Sequence, residues 1–327
     1  MSDTLQKHIL SRRAGKKARR PDLFWALLSV AAVVILIITA INLYALINGS
    51  TDSLRYFGLG FLVGTDWVPN PPEGPPLLGA LPAIYGSLVT TLIALLLAVP
   101  ISLGVALFQA ELSPRRLRTP SVFLIELLAA VPSVVYGLWG LFVLVPFMRD
   151  YVNTQLKGWF GFLPLFSGPA NGLGMLTAGV ILAIMIIPYG SSVMREVIAV
   201  VPRSQREGSL ALGATRWEMI RTSVIPYART GIIAAIVLAM GRAIGETMAV
   251  TMVIGNVARI SPSLFLPAET IPSVIANEFT EVAGNDLYLS ALFELGLILF
   301  AIAFLMNLAG RILITRLQFK KGSDRVA

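Results

Sequence analysis

Six stretches of the chain, residues 23–48, 83–108, 121–147, 174–200, 229–256 and 287–315, are apolar almost throughout. Each is long enough to cross about 30 Å of hydrocarbon at about 1.5 Å per helical residue. Backbone groups facing lipid must be satisfied within their own segment, so each stretch is expected to be a helix. The chain is 56% hydrophobic and 13% charged, and its apolar residues fall in blocks that no single water-exposed core of 327 residues could enclose. These patterns predict an all-α membrane protein with six transmembrane helices.

The basic residues set an orientation. Of the 26 lysines and arginines, 21 lie in the amino-terminal tail, around Arg115 to Arg118, in the segment 195–229, or from Arg311 onward. The alternate loops hold only Arg55, Arg149, Lys157 and Arg259, and Arg242 falls inside a span. By the positive-inside rule both termini are expected in the cytoplasm. The basic run from Arg12 to Arg20 precedes an apolar core too long for a cleaved signal, with no small-residue cleavage pattern after it, so the first stretch is expected to be a retained anchor. The expected organisation is a basic tail over 1–22, a first helix and outer loop over 23–82, a membrane domain over 83–315 and a second basic tail over 316–327. The outer loops carry Asp52, Asp66, Glu73, Asp150, Glu269, Glu278, Glu281 and Asp286, and Pro69, Pro71, Pro72, Pro75 and Pro76 disfavour helix in the first of them. Prolines 100, 132, 146, 188 and 202 mark helix ends or bends.

The inner segment 195–229 is the most informative. Pro202 breaks the preceding helix, and Ser204 with Glu207 three residues on has the spacing of a capping box. Leu210, Ala211, Ala214, Trp217 and Ile220 recur at helical intervals, which predicts a short amphipathic helix over about 204–222, interrupted at Gly213, with Pro226 ending the segment. Such a helix could rest on lipid headgroups. Two arginines and two glutamates interspersed with one tryptophan suit a groove in a protein partner better than a lipid surface, which usually faces a clean basic rim.

The order Glu207-Gly208-Ser209, three residues, Gly213, nine residues, then Ser223-Val224-Ile225-Pro226 resembles the cytoplasmic EAA motif of type I ABC importer permeases. Glu207, Gly213 and Pro226 match in register, while Gly208 and Ser209 stand in place of two alanines. The resemblance implies that Glu207, Gly208, Ser209, Ala211, Gly213, Ala214, Trp217 and Pro226 belong to a coupling loop that docks on an ATP-binding subunit. The segments ALPAIYGSLVTTLIALLLAVPISLGVALF, GRAIGETMAVTMVIGN and IPSVIANEF narrow the resemblance, over roughly residues 78–315, to the PstC type of phosphate-specific transport permease. That family implies a type I permease bundle in the cytoplasmic membrane of a prokaryote. It also implies a second, related permease (PstA type), two copies of an ATP-binding subunit (PstB type) and an external phosphate-binding protein (PstS type).

Arg242 and Glu246 lie four residues apart in the fifth stretch, on a face shared with Gly231, Ala235, Ala239 and Ala249. A lone charge near the bilayer centre costs about 2.5–3.5 kcal/mol on insertion scales, so this face is expected to point into the bundle. Either the two residues neutralise each other and pin two helices together, or Arg242 offers paired donors to a permeating oxyanion while Glu246 limits how tightly it is held. The resemblance, since phosphate permeases carry both residues, favours the second. Glu126 and Glu294, also within apolar stretches, could partner Arg242 or reach water.

Inventory restricts the alternatives. The chain has no cysteine and one histidine, His8, in the basic tail, which leaves little for thiol, haem or imidazole chemistry within the membrane. No G-x-x-x-x-G-K-S/T loop is present, so no cofactor is expected in this chain and ATP is expected on a partner subunit. Its basic charge sits at one membrane face and points to lipid, not to nucleic acid. A permease for sulfate or molybdate, an ion-coupled secondary carrier, and a membrane-embedded transferase or lipid enzyme, to which this inventory offers little chemistry, are the rival readings.

Overall fold

A computed structural model of the chain describes residues 23–282 and 284–323. The basic tail expected over 1–22, with His8, and the last four residues lie outside that range. The chain divides into two compact units, Met1–Asn48 and Gly49–Ala327. Among the described residues six helical segments are long and apolar enough to cross a membrane: Phe24–Gly49, Leu81–Leu112, Ser133–Phe160, Met175–Ala199, Arg216–Ile244 and Asp286–Arg316.

Helix α1 (Leu23–Gly49) is apolar around its whole circumference. Ser29, Thr39 and Asn42 each donate a side-chain hydrogen to the carbonyl one turn back, at 2.8, 2.9 and 2.9 Å, which lowers the cost of placing these polar groups on an apolar helix.

The second unit begins with α2 (Thr51–Phe57) and a short antiparallel pair, Trp67–Val68 with Leu77–Leu78. Five prolines fill the connection between the two strands, where the sequence disfavours helix. Then come α3 (Leu81–Leu107), α4 (Arg115–Ala130), α5 (Ser133–Trp139), α6 (Asn153–Phe160) and α7 (Met175–Ala199). The segment after α7 holds α8 (Arg203–Ala211) and α9 (Arg216–Met219) and leads into α10 (Ile225–Ile244). The chain ends with α11 (Met248–Ile254), α12 (Ile271–Glu278) and α13 (Asp286–Ser323). Single wide π-helical turns lie at Phe108–Leu112, Gly140–Leu144, Met148–Val152 and Ile220–Val224.

Two of the expected spans are corrected. The stretch 121–147 is not one helix, because Pro132 has no N–H to continue the ladder: α4 stops at Ala130 and α5 begins at Ser133. Tyr136 Oη donates to Leu128 O at 2.8 Å and so satisfies a carbonyl near the break. The membrane-length segment is therefore Ser133–Phe160, displaced toward the carboxyl side of the expected bounds. The stretch 229–256 is likewise interrupted, at residues 245–247 between α10 and α11. Pro226 does not end the segment before it: it follows directly on the π-helical turn Ile220–Val224, inside the helical run Arg216–Ile244. Helix α13 runs on to Ser323, through much of what was expected to be a tail.

Packing rests on small side chains. Along α3, Ser87, Thr91, Ala94, Ala98 and Ser102 form a buried stripe against α7. A Cβ at Gly179 of α7 would come within 2.4 Å of Ile93, and one at Gly190 within 3.1 Å of Ser102 Oγ, so the two helices approach closely at both points. Three buried clusters follow the bundle. One, around Phe61, Ala83, Ile271, Tyr288 and Leu295, joins α3, α12 and α13 at one end. A central one, around Ala98, Ile181, Ile186, Val250 and Ile254, joins α3, α7 and α11. The third, around Leu107, Ile198, Met219, Ile220 and Val224, seats the segment after α7 on the opposite ends of α3 and α7.

In the first cluster the chain before α12 is pressed into α3. A Cβ at Gly86 would fall 1.9 Å from Glu269 O, and Ile271 N donates to Ser87 Oγ at 2.9 Å. This buries the Glu269 side chain, whose Oε1 has no hydrogen-bond partner. Burial pushes its carboxyl from the ordinary 4.5 up to about 7, with the charge of Glu278 adding to the shift. The folded chain thus holds the proton more tightly than the unfolded chain does. The stabilisation is complete below about pH 4.5, is lost as pH rises to about 7, and stays lost above that. Glu269→Gln should therefore flatten the fall in Tm between pH 4.5 and 7, measured in detergent, and raise Tm at pH 8. An unchanged pH profile would show that Glu269 is not the group responsible.

Candidate functional site

The break between α10 and α11 falls inside the charged GRAIGET segment. Arg242 is in the last turn of α10, Gly245 closes that helix, and Glu246 lies in the interruption. Four residues apart along an unbroken helix would place the two charges on one face, but across the break they diverge. Glu246 Oε1 accepts from Ala249 N at 3.3 Å, capping the first turn of α11. Arg242 lies over the ring of Tyr189 on α7, 5.5 Å from its centroid.

Neither mutual neutralisation nor a partner carboxylate is observed. Among the described residues Arg242 makes no salt bridge, and Glu126 pairs instead with Arg195 at 3.3 Å. Glu294 accepts from Ser53 Oγ at 2.5 Å. The small-residue face does turn inward, with Ala235, Ala239 and Ala249 buried and a Cβ at Gly231 within 2.3 Å of Val197. Arg242 itself does not: it lies at the edge of that face and is exposed on the surface of the chain. The cation–π contact with Tyr189 uses none of the guanidinium N–H donors, and among the described residues none of them makes a hydrogen bond. A crevice of about 610 Å³ nearby in the fold, lined by Leu97, Trp139, Phe147, Met148, Leu176 and Ile184, is wholly apolar and gives an anion nothing to bind.

The second predicted feature is the segment after α7. Its helix is α8, and a single helix over about 204–222 is not observed. Pro202 stands at the N-cap, which puts Ser204 inside the first turn where it cannot cap; the capping box lies eleven positions later, at Thr215 and Glu218, and starts α9. Helix α8 ends in a left-handed residue, Gly213 at φ +87°, with Gly213 N donating to Leu210 O at 3.0 Å and Ala214 N to Ser209 O at 3.3 Å. Glu207, Gly208, Ser209 and Ala211 lie on α8, Gly213 and Ala214 in the turn, Trp217 on α9 and Pro226 in α10. Apolar knobs project outward from this region: Leu212 is 91% exposed and Trp217 60%.

A family model described as the inner membrane component of binding-protein-dependent transport systems matches residues 98–319. The phosphate transport system permease protein PstC of Xylella fastidiosa is 46% identical, across 99% of this chain and 100% of that one. The chain belongs to the PstC family. The PstC protein of Pasteurella multocida is 47% identical over 89% of this chain and 90% of its own. The fold matches a solved bacterial ABC transporter involved in import of the acidic polysaccharide alginate, with a TM-score of 0.61 at 18% identity, over 93% of this chain and 99% of that one. This PstC-family chain is thus a multi-pass membrane protein with the type I importer permease fold.

One contact in this PstC-family chain had no sequence signal. Arg206 of α8 bonds Glu111, 95 positions earlier, with Nη2 to Oε1 at 2.7 Å and Nε to Oε1 at 2.9 Å. Nothing in either local sequence marks the partner.

The two loop glycines should respond oppositely to alanine. Gly208 has an open Cβ position within a helix, so Gly208→Ala should stabilise the loop by about 0.5–1 kcal/mol. Gly213 is left-handed, so Gly213→Ala should cost about 1–2 kcal/mol despite equally open space. Limited proteolysis of the loop in detergent reads both, and like-signed effects would contradict the assigned turn.

Proposed function

We propose that the chain is the membrane subunit of an ATP-driven phosphate importer. Near full-length identity to proteins named as phosphate transport permeases supports the substrate. The observation that carries the chemistry is Arg242, a permanently charged fork at a helix break, stacked on Tyr189 and without a carboxylate partner among the described residues. Where a sister permease closes over this face, the guanidinium lines the route and binds a phosphate oxyanion through paired donors. Glu246, held at the start of α11, lowers the local positive potential so that the anion leaves again.

Energy comes from outside the chain. The exposed surface of α8, the turn at Leu212 and Trp217 of α9 are the handle for a separate ATP-binding subunit, and the residues from Glu207 to Pro226 form that coupling loop. The assembly contains a PstA-type sister permease, two PstB-type ATPase copies and a PstS-type binding protein on the external face. Both termini lie in the cytoplasm, as the distribution of lysine and arginine favours. The subunit transports and does not itself hydrolyse ATP.

Proteoliposomes containing all four components test this. Uptake of labelled phosphate should require ATP, and Arg242→Ala should lower it roughly 10- to 100-fold, the equivalent of one charge-assisted hydrogen bond. Arg242→Lys should restore only part of the rate, because a lysine cannot present a planar fork. Uptake by this chain alone under an ion gradient would overturn the assignment.

A further inference from the structure

Helix α8 contributes no buried residue of its own to the bundle. Its firmest polar attachment is one side chain. Arg206 Nη2 and Nε both reach Glu111, Nη2 also donates to Ile198 O at 3.0 Å, and Nη1 donates to Val201 O. The side chains are 19% and 7% exposed for Arg206 and Glu111. Glu111 lies in the π-helical turn that extends α3, and Ile198 and Val201 lie at the end of α7. One guanidinium therefore ties three segments: α8, the end of α3 and the end of α7.

The chemistry suits stiffness more than stability. A buried ion pair gains little net free energy over an apolar replacement, but removing one partner leaves a buried charge uncompensated, so the pair resists slipping. The carbonyls at the end of α7 are groups a helix cannot satisfy internally, and a cation there also meets the negative end of the helix dipole. A lysine ammonium could not address a carboxylate through two donors and two carbonyls at once. Beyond the pair, α3 and α7 are packed closely at Gly179 and Gly190, and α7 carries Tyr189 beneath Arg242.

We propose that Arg206 and Glu111 are positioning residues that lock α8 to the ends of α3 and α7, so that displacement of the loop is delivered to the helix bearing Tyr189. This rests on the transport function proposed above. The exposed side of α8 is where a motor subunit pulls, and the Arg206–Glu111 pair is the strut through which the pull reaches the bundle.

The chain has no cysteine, so labels can be attached to it at chosen positions before it is assembled with the other subunits. With nitroxides at Gln205→Cys and Leu112→Cys in the complete reconstituted assembly, the inter-label distance should stay the same in the nucleotide-free and vanadate-trapped states. A distance that changes between the two states would overturn the strut without any mutation of the pair. In Arg206→Lys and Glu111→Gln, phosphate moved per ATP hydrolysed should fall roughly two- to thirtyfold, the range for residues that carry coupling between distant sites. The double variant Glu111→Gln/Arg206→Gln should be no worse than Glu111→Gln or Arg206→Gln alone, since the two act as one unit. Transport and hydrolysis falling in proportion would mean lost docking and no coupling role, and would also overturn the proposal. Should the unmodified assembly show no ATP-dependent uptake, the function proposed above fails first, and that outcome is distinct from a wild-type assembly that works while the variants leave the ratio untouched.

Discussion

Every backbone amide and carbonyl buried in a membrane protein must find its partner within the protein, and the ways this chain satisfies its broken helices shape both of its candidate sites. At the first break Tyr136 reaches back to Leu128 O. At the second, Glu246 turns to Ala249 N. At the end of α7, Arg206 takes the carbonyls of Ile198 and Val201. In each case a side chain with functional potential is first a structural cap, and what remains free is decided by that prior commitment.

The commitment explains why Arg242 and Glu246 do not cancel. A four-residue separation brings opposite charges together only while the helix continues. The interruption at residues 245–247 turns the carboxylate toward α11 and leaves the guanidinium with an aromatic face. A cation stacked on a ring stays stiff without losing its in-plane donors, which is what transient binding of an anion needs.

Close packing then relates the two regions. The stripe of Ser87, Thr91, Ala94, Ala98 and Ser102 lets α3 and α7 run together through the central cluster to the end where Arg206 holds α8. Densely packed small-residue interfaces move as bodies and deform little, so a shift at one end is passed along the pair. The glycines at 179 and 190 matter for this approach, and Gly231 does the same where α10 meets Val197 of α7, since larger side chains there would hold the helices apart.

The sequence by itself determined the number of membrane helices, the small-residue faces, an interruption at Gly213 and the residues of family resemblance around Glu207 and Arg242. These are local or periodic properties, written in runs of neighbouring residues. It also carried a visible sign of the first break, in Pro132, but the second falls at Gly245-Glu246-Thr247, where no proline marks it and tertiary packing of α11 on α5 decides. The helix start after Pro202 is not where the local pattern puts it, since Ser204 and Glu207 have capping spacing yet lie inside a helix that begins at Arg203, and the second start, after Thr215, has no counterpart in that pattern. The bond between Glu111 and Arg206, the stacking of Arg242 on Tyr189 and the burial of Glu269 against Gly86 were decided by tertiary structure alone. Each joins residues tens of positions or more apart, and a contact of that kind depends on how whole helices pack, a quantity no local pattern of side chains records.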